Sequence, residues 1–232
     1  EKTELEQKLI ANDSKVLVAT IALGMGFDKP DLAFVIHYQR PASVVHYYQQ
    51  VGRAGRAVDE AYGILLHGDE DERISEYFIR NAFPTREIIS NILNALKESE
   101  EGLSTTELQK AINVRYGKLE QALRYLSLEN PAPVEKLDRK WQATKTADFY
   151  HVNEAKIEQI TATRYAEQQQ MRDYMSHTEC LMSFLQNALD DTDIQPCGKC
   201  ANCKPINALP TTANPLLVEQ AQVFLDRSHQ LI

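Results

Sequence analysis

Cys180, Cys197, Cys200 and Cys203 constrain this chain more than any other group of residues. Three of the four fall within seven residues as Cys-x₂-Cys-x₂-Cys, and the chain has no further cysteine. Such spacing favours a metal over disulfides and, with it, a reducing compartment. Gly198 permits the tight turn between the first two of the three. Cys180, expected inside a helix over about 153–189, closes a tetrahedral four-thiolate site with no position open for water. That is the chemistry of structural Zn²⁺; an iron–sulfur cluster also takes four thiolates, and unliganded thiols are the bland alternative. His177, one turn before Cys180, competes as a ligand but reads as a surface histidine, since four cysteines suffice.

The rest of the chain reads as two kinds of structure in succession. Short β-rich runs at 16-VLVAT-20, 33-AFVIHY-38 and 61-AYGILLH-67 alternate with helical stretches near 43–55 and 69–82. That is the rhythm of an α/β sheet, with too few strands to complete one, so residues 1–83 are expected to be a truncated α/β domain. Residue 1 is Glu, so the chain is expected to be a piece of a longer polypeptide. Beyond Pro84, Ile88, Ile89, Ile92, Leu93 and Leu96 recur at helical spacing. Ser104 and Glu107 fit a capping box for a second helix, and a third runs over about 116–129. The segments 134–137 and 140–144 flank Asp138-Arg139 as a hairpin, so residues 84–150 have the order of a winged helix. Residues 151–204 are expected to form a helical metal-binding subdomain. A Pro-containing linker and short helix follow over 205–232. No apolar run approaches the ~20 residues of a membrane span, and no signal peptide opens the chain.

The chemistry-bearing stretch of the α/β part is 49-QQVGRAGR-56. Arg53 and Arg56, in a loop freed by Gly52 and Gly55, put two guanidinium forks on one small surface. That suits a phosphate chain gaining negative charge in a transition state. A surface turn with salt-bridging arginines is the alternative. Upstream, 18-VATIALGMGFDKP-30 and 47-YYQQVGRAGR-56 stand in order, and residues 16–83 together resemble the second motor domain of superfamily 2 helicases of the RecQ family. The two runs match motifs V and VI of that family.

The resemblance implies a RecA-like fold and a role for each matched residue. Arg56 would be the arginine finger on the γ-phosphate of ATP, with Arg53 its companion on phosphate or at the motor interface. Gln49 would couple nucleotide state to domain closure, and Asp28 would lie near the ribose. Thr20, Gly24 and Gly26 would line the DNA path. It also implies ATP and Mg²⁺ as cofactors of the whole enzyme. A first RecA-like motor domain on the same polypeptide would be a partner, and single-stranded or junction DNA the substrate, with 3′-to-5′ movement. Repair and recombination in a bacterial cytoplasm or nucleoid, or in a nucleus, would be the setting. No G-x-x-x-x-G-K-[ST] loop or DExH box occurs in these 232 residues, so the chain is expected not to hydrolyse ATP alone. One Cys ahead of a Cys-rich knuckle also resembles the RecQ zinc subdomain.

The departure from that family lies in residues 84–150, where the winged-helix-like segment precedes the cysteines rather than following them. Over 110–145 eight bases stand against four acids, in a chain whose net charge is −8. Any nucleic-acid surface must be a local patch of this kind. Lys118, Arg124, Arg139 and Lys140, on the third helix and the hairpin, are its candidate phosphate contacts; a mixed-charge spacer is the alternative. Trp141 reads as a core tryptophan more readily than as a base-stacking one. The whole is an N-terminally truncated α/β RecA-like motor domain followed by a mostly helical part. A non-catalytic zinc-containing DNA- or protein-binding module and an RNA remodeller are its rivals.

Overall fold

Contacts divide the chain into two units, each with its own core, in a computed structural model that describes residues 2–20 and 28–228. The first unit joins the residues up to Phe34, Val44–Tyr62 and those from Gln170 on. The second joins Val35–Ser43 to Gly63–Gln169.

In chain order the elements begin with α1 (Lys2–Ile10), β1 (Phe34–His37), α2 (Val44–Val51), β2 (Tyr62–Leu65) and α3 (Glu70–Arg80). Strands β1 and β2 form a two-stranded sheet. Tyr62 N–H donates to Ala33 C=O and Leu66 N–H to His37 C=O, so the strands run parallel with α2 in the crossover. The strand expected at 16–20 is absent: those residues are irregular, with Val16 58% and Val18 92% exposed. A buried parallel strand needs a place in a sheet, and the two sheets of the described residues are β1-β2 and β3-β5-β4, neither of which includes this run.

The second unit is built on α4 (Arg86–Lys97), β3 (Leu103–Ser104), α5 (Thr105–Ile112), α6 (Tyr116–Ser127), β4 (Val134–Leu137) and β5 (Lys140–Ala143). Helical spacing puts Ile89, Ile92, Leu93 and Leu96 on one face of α4. They pack with Leu108 of α5 and with Leu119, Ala122, Leu123 and Leu126 of α6, beneath Val134. The expected capping box is present in full: Ser104 Oγ accepts from Glu107 N–H, and Glu107 Oε2 accepts from Ser104 N–H at 2.8 Å. The small sheet is antiparallel in the order β3-β5-β4. Asp138, at φ 54°, turns the hairpin between β4 and β5. Trp141 packs against the core and donates its Nε1–H to Thr105 Oγ1 at 3.3 Å, which is the structural role expected of it.

Leu123 is 1% exposed at the centre of this core. Leu123→Ala is expected to cost roughly 2–5 kcal/mol. Urea unfolding of the whole chain followed by the fluorescence of Trp141, its single tryptophan, reads that loss as an earlier midpoint. An unchanged midpoint would contradict this packing.

The long helix expected over 153–189 is two helices, α7 (Glu154–Met175) and α8 (Leu181–Ala188). The break has a local cause. Ser176 turns its hydroxyl back onto the Arg172 and Asp173 carbonyls, and Cys180 starts α8 afresh as its N-cap, Sγ accepting from Ser183 N–H. The last helix, α9 (Pro215–Ser228), follows an exposed Pro-containing stretch. No helix among the described residues is long and apolar enough to cross a membrane.

Candidate functional site

Helix α2 ends at Val51, where the bonding tightens from i→i−4 to i→i−3: Gly52 N–H still returns to Tyr48 C=O at 2.9 Å, but Arg53 N–H goes to Gln50 C=O at 3.3 Å and Ala54 N–H to Val51 C=O at 3.0 Å. Gly55 has φ +81°, and a Cβ on it would stand 3.0 Å from the Ala61 side chain, so the position requires glycine on two counts. The loop is then stitched to the preceding segment by two backbone bonds. Gly55 N–H donates to Leu32 C=O at 3.0 Å, and Ala57 N–H to Pro30 C=O at 2.8 Å.

That segment is itself anchored. Lys29 is 6% exposed, and its ammonium donates to Asn12 Oδ1 at 2.7 Å and Asp31 Oδ1 at 2.6 Å. Asn12 also donates to Asp31 Oδ2 at 3.1 Å. The bonds from Lys29 and Asn12 hold the Asp31 carboxyl below its ordinary range. Across from this anchor Arg56 Nη1 meets Asp28 Oδ1 at 2.7 Å, both side chains about half exposed or more. The runs 18–30 and 47–56 thus meet through a carboxylate and a guanidinium. Arg53 is half-buried in the same loop, and Gln49 is exposed on α2. Thr20 is exposed; Gly24 and Gly26 lie outside the described residues. The buried Lys29 had no signal in the sequence, where Asp-Lys-Pro-Asp reads as a solvated turn.

The same unit carries the cysteines. The four Sγ atoms of Cys180, Cys197, Cys200 and Cys203 all lie within 4.8 Å of one another, and none is in a disulfide. Backbone amides surround them: Cys197 N–H donates to Cys180 Sγ at 3.2 Å, Cys200 N–H to Cys197 Sγ at 3.3 Å and Cys203 N–H to Cys200 Sγ at 3.4 Å. Gly198, at φ +63°, makes the turn that allows this. Burial opposes ionisation of Cys180, but the bonds from Cys197 and Ser183 outweigh it and bring that thiol down to about 5. Cys200 is lowered too, against its burial, by the amides of Cys203 and Leu181. Cys203, hydrogen-bonded to Cys200, is pushed up to about 12. Four cysteine sulfurs gathered this closely are a donor set that could hold a metal ion.

Two features of this knuckle were not foreseen. Asn202 clamps it, donating to the His177 and Glu179 carbonyls at 2.7 and 2.8 Å. An aromatic stack backs it: Tyr174 lies 5.2 Å from Tyr47 of α2 and 5.6 Å from Phe184 of α8, centroid to centroid. Burial raises both tyrosines above their ordinary range. His177 stacks on Phe184 at 5.0 Å and stands outside the sulfur cluster.

The basic residues of the second unit are not equivalent. Arg124 on α6 and Arg139 at the hairpin tip are exposed. Lys140 reaches Glu101 at 3.4 Å. Lys118 is half-buried and donates to Asn81 Oδ1 at 2.8 Å, beside Gln121 on the Asn81 and Ala82 carbonyls.

Residues 1–58 match the helicase conserved C-terminal domain. The chain is 49% identical over 71 residues to ATP-dependent DNA helicase Q1 of Pongo abelii, covering 31% of the chain and 11% of that protein. It is 47% identical over 70 residues to RecQ-like DNA helicase blm-1 of Caenorhabditis elegans, covering 30% and 7%. ATP-dependent DNA helicase RecQ of Synechocystis sp. aligns over 213 residues at 26% identity, covering 88% of the chain and 41% of that protein. The chain therefore spans less than half the length of these relatives. The two runs 18–30 and 47–56 meet at one loop, and the chain is similar there, and through most of its length in the Synechocystis alignment, to the C-terminal part of RecQ-like helicases.

Proposed function

We propose that this chain is the trailing half of an ATP-dependent 3′-to-5′ DNA helicase, supplying the arginine finger and part of the DNA surface but not the nucleotide pocket. The observation that carries this reading is Arg56, half exposed on a loop held at both ends by backbone bonds and by an ion pair. An arginine in that setting is suited to a phosphate presented by another domain, here the first motor domain of the same polypeptide. Closure of the two motor domains would bring Arg56 onto the γ-phosphate, with Arg53 beside it and Gln49 on the adjoining helix. ATP–Mg²⁺, held by that first domain, supplies the transferable phosphoryl group. Thr20, Gly24 and Gly26 would follow the DNA strand.

The cysteines have the donor set of structural zinc, and the aromatic stack places that knuckle against α2, the helix that leads into the arginine loop. The metal would brace the loop and take no part in chemistry. Residues 84–150, whose three helices and β3-β5-β4 sheet support the reading, would be the winged-helix-like domain. Arg124 and Arg139 are its best-placed phosphate contacts, and Lys140 is a further one. Lys118 is the weakest of the four, because its ammonium already serves Asn81. A DNA-bound enzyme of cytoplasm or nucleus follows from this reading.

Strand separation by the full-length protein tests it. A duplex with a 3′ single-stranded tail is expected to open with ATP and Mg²⁺, and one with a 5′ tail to stay closed. No ATP-dependent opening of either would leave the non-catalytic zinc module as the function. Opening of RNA but not DNA duplexes would make it an RNA remodeller.

A further inference from the structure

The partner that Arg56 has chosen in this structure is informative in itself. Asp28 Oδ1 takes a single edge of the guanidinium, at Nη1 and 2.7 Å. A guanidinium carries five N–H donors in a rigid plane, so the groups on Nε and Nη2 remain for another anion. The two backbones are locked together by the bonds from Gly55 to Leu32 and from Ala57 to Pro30. The Asp28 side is fixed in turn by buried Lys29, whose ammonium is shared between Asn12 and Asp31. Carboxylate and guanidinium therefore meet because two anchored segments bring them together, not because two long side chains found one another. At 66% and 47% exposure such a pair stabilises a fold very little. What the geometry does supply is orientation.

We infer that Asp28 is a positioning residue for Arg56: it grips one edge of the guanidinium and aims the other at the nucleotide, acting through Arg56 rather than by touching nucleotide itself. The inference rests on the arginine-finger reading above and assigns Asp28 a different task from the ribose contact its motif implies.

The test is ATP turnover by the full-length protein with saturating single-stranded DNA, for wild type, Asp28→Ala, Asp28→Asn, Arg56→Ala and the Asp28→Ala/Arg56→Ala pair. Misaiming a catalytic group by about 1 Å costs up to ~10²-fold. Asp28→Ala is expected to lower kcat by roughly 10- to 100-fold, with KM for ATP within about twofold and the thermal midpoint unchanged. Asp28→Asn, whose amide oxygen still accepts from Nη1, is expected to recover part of the loss. In the Arg56→Ala background Asp28→Ala is expected to cost nothing further, because a residue acting through Arg56 has nothing left to aim. A raised KM with kcat intact would overturn the inference in favour of direct nucleotide contact. An equal further loss in the Arg56→Ala background, or wild-type turnover in Asp28→Ala, would overturn it as well. Full turnover in Arg56→Ala alone would instead sink the arginine-finger reading, a separate result.

Discussion

Cys180→Ser is expected to release zinc from the full-length protein and to unfold the knuckle from Asp190 to Lys204. From Asp190 to Lys204 no residue is buried, so there is no apolar core to keep the turns in place once the metal is gone. Among the remaining ties are Asn202 on the His177 and Glu179 carbonyls, Ser183 on the Gln195 carbonyl, Asn207 on the Lys199 carbonyl and Gln186 on Asp191. Hydrogen bonds of that kind contribute about 1 kcal/mol each, against roughly 10–16 kcal/mol for a structural zinc site. Zinc content is expected to fall from about one equivalent per chain to near zero, and limited proteolysis to cut between Asp190 and Lys204, in the mutant and in wild type treated with a strong chelator. The damage is expected to travel further. Tyr174, the next-to-last residue of α7, packs on Tyr47 of α2, so loosening the knuckle loosens the helix that presents Gly52 to Arg56. ATP turnover should fall together with zinc. Purified wild type that carries no zinc, and whose proteolysis is indifferent to chelator, would remove the metal from the scheme. A brown protein absorbing in the visible would put an iron–sulfur cluster there instead.

Much of this was legible in the residues alone, where a local rule decided the outcome. The α4 stripe of isoleucines and leucines, the Ser104–Glu107 box and the Asp138 turn each follow from short-range spacing, and each is where that spacing puts it. The four cysteines fall in the same class: Cys-x₂-Cys-x₂-Cys needs only one permissive turn, at Gly198, to bring three sulfurs together. What failed depended on neighbours. The run 16-VLVAT-20 has the composition of a buried strand, but composition does not supply a strand to pair with, and Val18 is almost fully exposed. The break at Ser176–Cys180 was hidden because an apolar stripe continues across it. Only the hydrogen-bonding habits of Ser176 and of a capping cysteine end one helix there and start the next. Lys29 is the hardest case. A buried lysine is rare unless paired, and its partner Asn12 lies 17 residues away. Arg56 was readable as a phosphate ligand, but its pairing with Asp28, 28 residues apart, belongs to the fold.

The central claim is that Arg56 completes a nucleotide site formed by another domain, and replacing that one side chain tests it most directly. Arg56 contributes little to stability, being 47% exposed and paired, among the described residues, with a carboxylate that is 66% exposed. Arg56→Ala should therefore fold, bind zinc and melt like wild type. On the proposed reading its removal takes away a charge aimed where negative charge grows as the γ-phosphoryl group departs, and arginine fingers are worth about 10³–10⁵ in rate. ATP hydrolysis by the full-length protein, measured with and without single-stranded DNA on samples assayed for zinc, is expected to be DNA-dependent in wild type. In Arg56→Ala it is expected to be lower by about 10³-fold or more, with zinc unchanged. Equal turnover in the two proteins, or no DNA-dependent turnover in either, would contradict it and leave a zinc-bearing binding module in place of a motor.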